Sequence, residues 1–274
     1  MNKQRARQKK KREFAASLAV KASPVREVNA PMFRPASTYT LETITPIFEQ
    51  TVFEGAVTLL CGWQGCAKSL YALTMLAQLS REGQRSLILS MEDSYAAVVK
   101  PRLVVAKADT DLVFFGDENH GLNLPTDFEY LRSRVAIVKP RVLVLDMLDL
   151  VTPLNLNTAT NVLDVLGPLK VLGSMYHFGI VCILHCSNKR RPTLNTTLGS
   201  TKLPGLAKAA LVIEEEFEVI DRPNGQKDKV KTGLKIVKHE KYNYTSKQPN
   251  QYFRVKEDEA LKTGYLVFES GPDD

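Results

Sequence analysis

Eight consecutive residues, Gly62-Trp63-Gln64-Gly65-Cys66-Ala67-Lys68-Ser69, have the types and order needed to hold a polyphosphate. They follow an apolar run and open a helical pattern that continues through Leu70. Backbone N–H groups of a loop in that position converge on an anion, and the helix N-terminus adds a favourable dipole. Lys68 would reach the terminal phosphates, and the Ser69 hydroxyl would ligate Mg²⁺. The loop departs from the usual pattern at Ala67, where a glycine is expected. Residue 67 begins the helix, so a methyl group is tolerable there if φ is negative, though close enough to crowd the phosphates and slow turnover. The other reading is an ordinary glycine-containing turn before a helix. Lys-Ser at the helix start directly after a buried strand argues against it.

Three more groups stand at the ends of apolar runs. RVLVLDML, residues 141–148, carries Asp146 at its end, as does a strand whose acid holds Mg²⁺ through water. An Asp in that place also serves as a simple helix cap. SLILSMED, residues 86–93, ends in Glu92-Asp93, and this strand is expected beside the phosphate-loop strand. An acid there orients and deprotonates a water attacking the terminal phosphate. In the alternative, Asp93 or Ser94 caps the next helix and Glu92 is a solvated strand end. GIVCILHC, residues 179–186, brings His185 to the same carboxyl edge, where ligands of open α/β sheets bind. A lone strand-end histidine is often structural. This one leads into Ser187-Asn188-Lys189-Arg190-Arg191, which suits a γ-phosphate sensor running into a basic loop.

The elements that position these groups follow from the patterning. From Gly55 onward, short runs that are apolar throughout alternate with helical stretches: strand 55–62, helix 67–79, strand 86–93, helix 96–106 and strand 111–117. The series continues with helix 128–138, strand 141–148, helix 158–175 and strand 179–186. Strands without alternation require a parallel sheet covered on both faces, so the expectation is a doubly wound α/β domain. Beyond Leu211 the runs at 210–220, 233–241, 250–257 and 264–270 read as strands added antiparallel at the C-terminal edge. The polar stretch DRPNGQKDKVKTG, 221–233, reads as a loop between the first two.

The chain has 274 residues, 44% of them hydrophobic and 24% charged, enough for one large core with short appendages. No apolar run reaches the roughly 18 residues that a membrane-spanning helix needs, so a cytoplasmic protein with no membrane partner is expected. The net charge of +7 is concentrated: the first twelve residues hold seven Lys or Arg and no acid. Removing those seven from the 37 basic residues leaves 30, equal to the number of acids. Such an arm either neutralises phosphates of a nucleic acid or serves as a solubilising tail. Residues 1–45, with Pro24, Pro31 and Pro35, read as this arm and a linker, and 46–274 as the folded domain. Cys61, Cys66, Cys182 and Cys186 suit buried thiols in a reducing compartment better than a zinc site.

The stretch from about 51 to 255 resembles the RecA-like hexameric helicases, most of all the RepA-type replicative helicases of plasmids and phages. Kinship extends to DnaB-type helicases and RadA-like recombinases. The carriers, in order, are GWQGCAKS (62–69), ILSMEDS (88–94), Arg102, VLVLDML (142–148), ILHCSNK (183–189), LGSTKLPGLAKAALVI (198–213) and IVKHEKYN (236–243). The resemblance implies a P-loop ATPase of RecA-like fold that uses ATP and Mg²⁺, with Glu92 as catalytic base, Arg102 on the adenine and His185 sensing the γ-phosphate. It also implies that Lys238, with Lys241, reaches the nucleotide of an adjacent subunit. The family usually shares that role between a Lys and an Arg, and a second Lys lacks the bidentate fork. Partners implied are single-stranded DNA held by Lys189, Arg190 and Arg191, further copies in a hexameric ring, and other replication proteins. A loader or recombinase that assembles on DNA without unwinding it, and a module that has lost turnover through Ala67, are competing readings.

Overall fold

The structure is a computed structural model that describes residues 34–117, 121–187, 191–196, 202–222 and 226–271. Two units are distinguished, Met1–Thr43 and Ile44–Asp274. The described part of the first is a short exposed segment with one 3-10 turn, Ala36–Thr38. The basic arm lies outside the described residues.

The second unit opens with a small ribbon of β1 (Pro46–Phe48) and β2 (Val52–Phe53). The central elements are β3 (Val57–Gly62), α1 (Lys68–Arg81), β4 (Ser86–Ser90), α2 (Lys100–Val105), β5 (Val113–Phe115) and α3 (Phe128–Val138). They are followed by β6 (Val142–Asp146), α4 (Ala159–Tyr176), β7 (Gly179–His185) and α5 (Lys202–Leu206). Four long strands complete the unit: β8 (Ala209–Asp221), β9 (Lys227–Tyr242), β10 (Gln251–Asp258) and β11 (Thr263–Glu269).

All residues of β3, β4 and β6 are buried, as strands covered on both sides must be. The nine-stranded sheet runs β11-β10-β9-β8-β3-β7-β6-β4-β5. From β8 to β5 every pairing is parallel, and β9, β10 and β11 add antiparallel. This is the doubly wound, mostly parallel sheet with an antiparallel C-terminal edge that the patterning predicts. On one face Leu59, Leu143 and Ile180 pack with Leu131 and Val135 of α3 and Leu166 and Leu169 of α4. On the other, Leu60, Val144 and Ile183 pack with Leu73 and Leu76 of α1, Leu103 of α2 and Phe253 of β10. Burying each such side chain stabilises the fold by about 1.5–3 kcal/mol.

The structure corrects three expectations. The strand carrying Glu92 at its end is not beside the phosphate-loop strand: β7 and β6 lie between β3 and β4. Both edges of β3 are taken, by β7 and β8, so β4 pairs with β6 and its end aligns with Asp146 through the Ser90–Asp146 register. The polar stretch after β8 is also mostly strand, because β9 begins at Lys227 and pairs Lys227 to Lys231 with Asp221 to Phe217. Cross-strand ion pairs such as Lys231–Glu215 and Arg222–Asp228 replace the hydrophobic pattern that would have signalled it. The expected helix at 96–106 is a π-helical turn, Tyr95–Val99, running into α2, where Pro101 fills an early position that needs no N–H donor. Among the described residues, no helix is long and apolar enough to cross a membrane.

Leu76 on α1 is fully buried against the sheet. Leu76→Ala is expected to cost about 2–5 kcal/mol, read as a lowered urea midpoint at unchanged slope. A loss below about 0.5 kcal/mol, within the range of surface substitutions, would contradict this packing.

Candidate functional site

The carboxyl ends of β3, β7, β6 and β4 deliver Gly62, His185, Asp146 and, just past β4, Glu92. Between β3 and α1 the loop turns tightly. A Cβ on Gly62 would stand 2.5 Å from Cys66 Sγ and 2.6 Å from the Ile213 carbonyl oxygen, so only glycine fits. Gly65 has φ +74° and Ala67 φ +72°, both left-handed. The condition that would have made Ala67 strain-free, a negative φ, is therefore not met. A non-glycine residue in this region costs roughly 1–2 kcal/mol, which the surrounding loop must offset.

Lys68 is 4% exposed, so its ammonium needs acceptors. It has three N–H donors and donates to the Trp63 carbonyl (2.7 Å), the Gly62 carbonyl (3.3 Å) and His185 Nδ1 (3.0 Å). An acceptor Nδ1 leaves the proton of the neutral imidazole on Nε2. Burial and the neighbouring Lys68 charge hold His185 below the usual imidazole range, so the neutral form prevails near pH 7. The Ser69 hydroxyl donates to Asp146 Oδ1 at 3.1 Å.

Asp146 is 2% exposed, and burial pushes its carboxyl up to about 6. The Ser69 hydrogen bond and Lys68 oppose that rise, while the charges of Glu92 and Asp93 add to it. Ser69 and Asp146 thus form an all-oxygen pair, which fits a hard divalent cation that takes one or two protein ligands and fills its shell with phosphates and water. A cation there would favour the ionised carboxylate.

Lys68, Ser69, Glu92, Arg102 and His185 border one cleft of about 500 Å³, together with Gln64, Gly65, Ala67 and Leu70. Arg102 donates to Asp93 Oδ2 at 2.8 Å. The helix cap beyond β4 is Ser94, which accepts from the Ala97 N–H, so the Asp93 carboxylate is committed elsewhere. Other expected residues lie apart. The Trp63 side chain faces a second cleft, edge-on to Phe217 at 6.2 Å. Cys66 is buried, and burial raises its thiol. All four cysteines are buried.

Lys238 pairs with Glu214 of β8, and Lys241 donates to the Pro204 carbonyl at 2.6 Å. Arg191 grips the same Glu214 through Nε (2.6 Å) and a second nitrogen (2.5 Å). Lys189 and Arg190 lie outside the described residues. Lys235 of β9, which sequence reading passed over, lines the main cleft. Strand alternation was the signal available: a separation of three residues puts Lys235 and Lys238 on opposite faces.

The sequence matches no protein-family model and no curated protein. In three dimensions the chain is similar to a KaiC-like protein from the hyperthermophilic archaeon Pyrococcus horikoshii, with a TM-score of 0.52. The match covers 83% of this chain and 98% of that one at 13% identity, which establishes the fold. The chain shares with that protein a mostly parallel α/β fold extended by antiparallel strands at its C-terminal edge.

Ala67→Gly is expected to raise unfolding free energy by about 1 kcal/mol in urea, because glycine adopts positive φ freely. A loss of stability would mean that the left-handed turn is not strained. Asp146 supplies a pH test. Its folded value, about 6, is above its ordinary 3.8, so the folded state binds the extra proton and stability falls as pH rises through that window. In metal-free buffer Asp146→Asn should therefore be more stable than wild type at pH 7, by on the order of 2–3 kcal/mol. The gap should close toward pH 4, and a gap independent of pH would refute the desolvated carboxyl.

Proposed function

We propose that this chain is an ATP-hydrolysing motor that acts on single-stranded DNA as an oligomer. The observation that carries the ATPase part is the convergence of Lys68, Ser69, Glu92 and neutral His185 on one cleft at the carboxyl edge of the sheet, with Asp146 hydrogen-bonded to Ser69 behind it. The fold shared with the KaiC-like protein supports the same reading.

The triphosphate would lie along the amides preceding Lys68, at the N-terminus of α1, with the Lys68 ammonium exchanging loop carbonyls for phosphate oxygens. Ser69 and Asp146 would hold Mg²⁺, which when bound neutralises developing phosphate charge. Glu92 would take a proton from the attacking water as the bond between the γ-phosphorus and the bridging oxygen breaks. The Nε2–H of His185 would donate to a terminal phosphate oxygen, linking the γ-phosphate to the loop that follows β7. Arg102 would cover the adenine.

Lys238 and Lys241 would act on the nucleotide of an adjacent copy in a ring, after exchanging Glu214 and the Pro204 carbonyl for phosphate. Single-stranded DNA is assigned to Lys189, Arg190 and Arg191 and to the basic arm, whose charge suits a phosphate backbone. A helicase of the RepA or DnaB type accounts for these features together. The arm and the charged loop equally serve a loader that assembles on DNA without opening it, so a tailed-duplex unwinding assay with ATP decides between the two.

Glu92→Gln should bind ATP as wild type does and lose hydrolysis by about 10²-fold or more, measured by phosphate release. Lys68→Ala should lose ATP affinity itself. Full turnover in the first variant would move the base elsewhere, and unchanged binding in the second would remove the phosphate loop.

A further inference from the structure

Of the six lysines on strand β9, Lys235 and Lys238 take opposite faces of the sheet. Lys238 is the cross-strand partner of Val212, a residue of the core on the α4 side of the sheet. Lys235, three residues earlier, shares its face with Val237, which packs in the core on the α1 side. Its side chain is only 10% exposed, and the space it borders is the cleft formed by the phosphate loop, Glu92, Arg102 and His185. Its charge is also felt by the Cys66 thiol inside the loop.

The ammonium of Lys235 is only loosely engaged. It lies 3.3 Å from Glu215 Oε1, whereas Lys231 holds the other oxygen of the same carboxylate at 2.6 Å. Glu215 therefore keeps a close partner if Lys235 turns away. A nearly buried cation with one long ion pair, facing a cleft built for an anion, has more to gain from a phosphate oxygen than from Glu215.

We propose that Lys235 is a second phosphate-binding cation of this site, supplied by the same chain, and that Glu215 competes with the ligand for it. The assignment rests on the reading of the cleft as a polyphosphate site. It gives β9 two jobs: Lys235 serves the chain's own cleft, while Lys238 faces the other side of the sheet. Lys235 acts as a binding residue, and Glu215 sets how readily it is released.

Calorimetric titration of the full-length chain with inorganic tripolyphosphate, and separately with ATP, tests this. Lys235→Gln should weaken both ligands by about ten-fold or more, while Glu215→Gln should tighten both a few-fold. Opposite directions in the two variants support the assignment. A purely structural ion pair predicts that either substitution acts alike, so parallel weakening overturns it. Unchanged affinity in Lys235→Gln also overturns it and leaves the polyphosphate reading standing. Wild-type protein that takes up neither ligand overturns both. Should Lys235→Gln not fold, the sign of the Glu215→Gln effect decides alone: unchanged or weaker binding overturns the assignment.

Discussion

The cleft depends on keeping one ammonium group hydrogen-bonded while almost wholly removed from water. An isolated buried charge is costly, and Lys68 avoids the cost by matching each of its three N–H donors to an acceptor. Two of those acceptors are carbonyls of its own loop, so the ammonium also fixes the loop's shape. The third, His185, must stay neutral to accept, and the same positive charge helps to keep it so. The loop, the lysine and the end of β7 are thereby one electrostatic unit. An anion that draws Lys68 away disturbs all three.

A second carboxylate and cation arrangement follows the same logic on either side of β8 and β9. Glu214 and Glu215 are neighbours in sequence on opposite faces of β8. Glu214, 3% exposed, is held by Arg191 and Lys238, and Glu215 by Lys231 and Lys235. In both cases the partners hold the carboxyl below its ordinary range against the opposing effect of burial. Each pair of cations thus has one shared acid that can release a member without becoming unpaired. The sheet edge that extends the parallel core is for this reason more than a cover for it.

Strain sits in the loop between β3 and α1. Ala67 holds a backbone conformation that glycine would adopt freely, at the N-terminus of α1, where the first backbone N–H groups have no partner within the helix. Gly62 has no room for a side chain at all, since the strand end, Cys66 and Ile213 meet there. Tight packing against β8 therefore sets the loop's path as much as the loop sequence does.

Residue order alone determined much of this protein. Runs that are apolar at every position, such as 57–62 and 142–146, have no second environment open to them than a sheet buried on both faces. Lys-Ser after such a run, and Asp146, Glu92 and His185 at the ends of three others, follow directly from where each run stops. Tertiary structure decided what those runs could not specify. Fully buried strands carry no alternation to mark their neighbours, so sequence alone misplaced β4 beside β3, when two strands intervene. The ribbon at 217–231 is stabilised by ion pairs across strands, which a single strand's pattern does not display. The space left at Gly62 and the destination of Lys235 likewise depend on partners distant in sequence: Ile213 of β8 for the loop, Glu215 and the cleft for the lysine. Local sequence sets which residues are buried or exposed and in what order they come. Only packing across the sheet sets which of them meet.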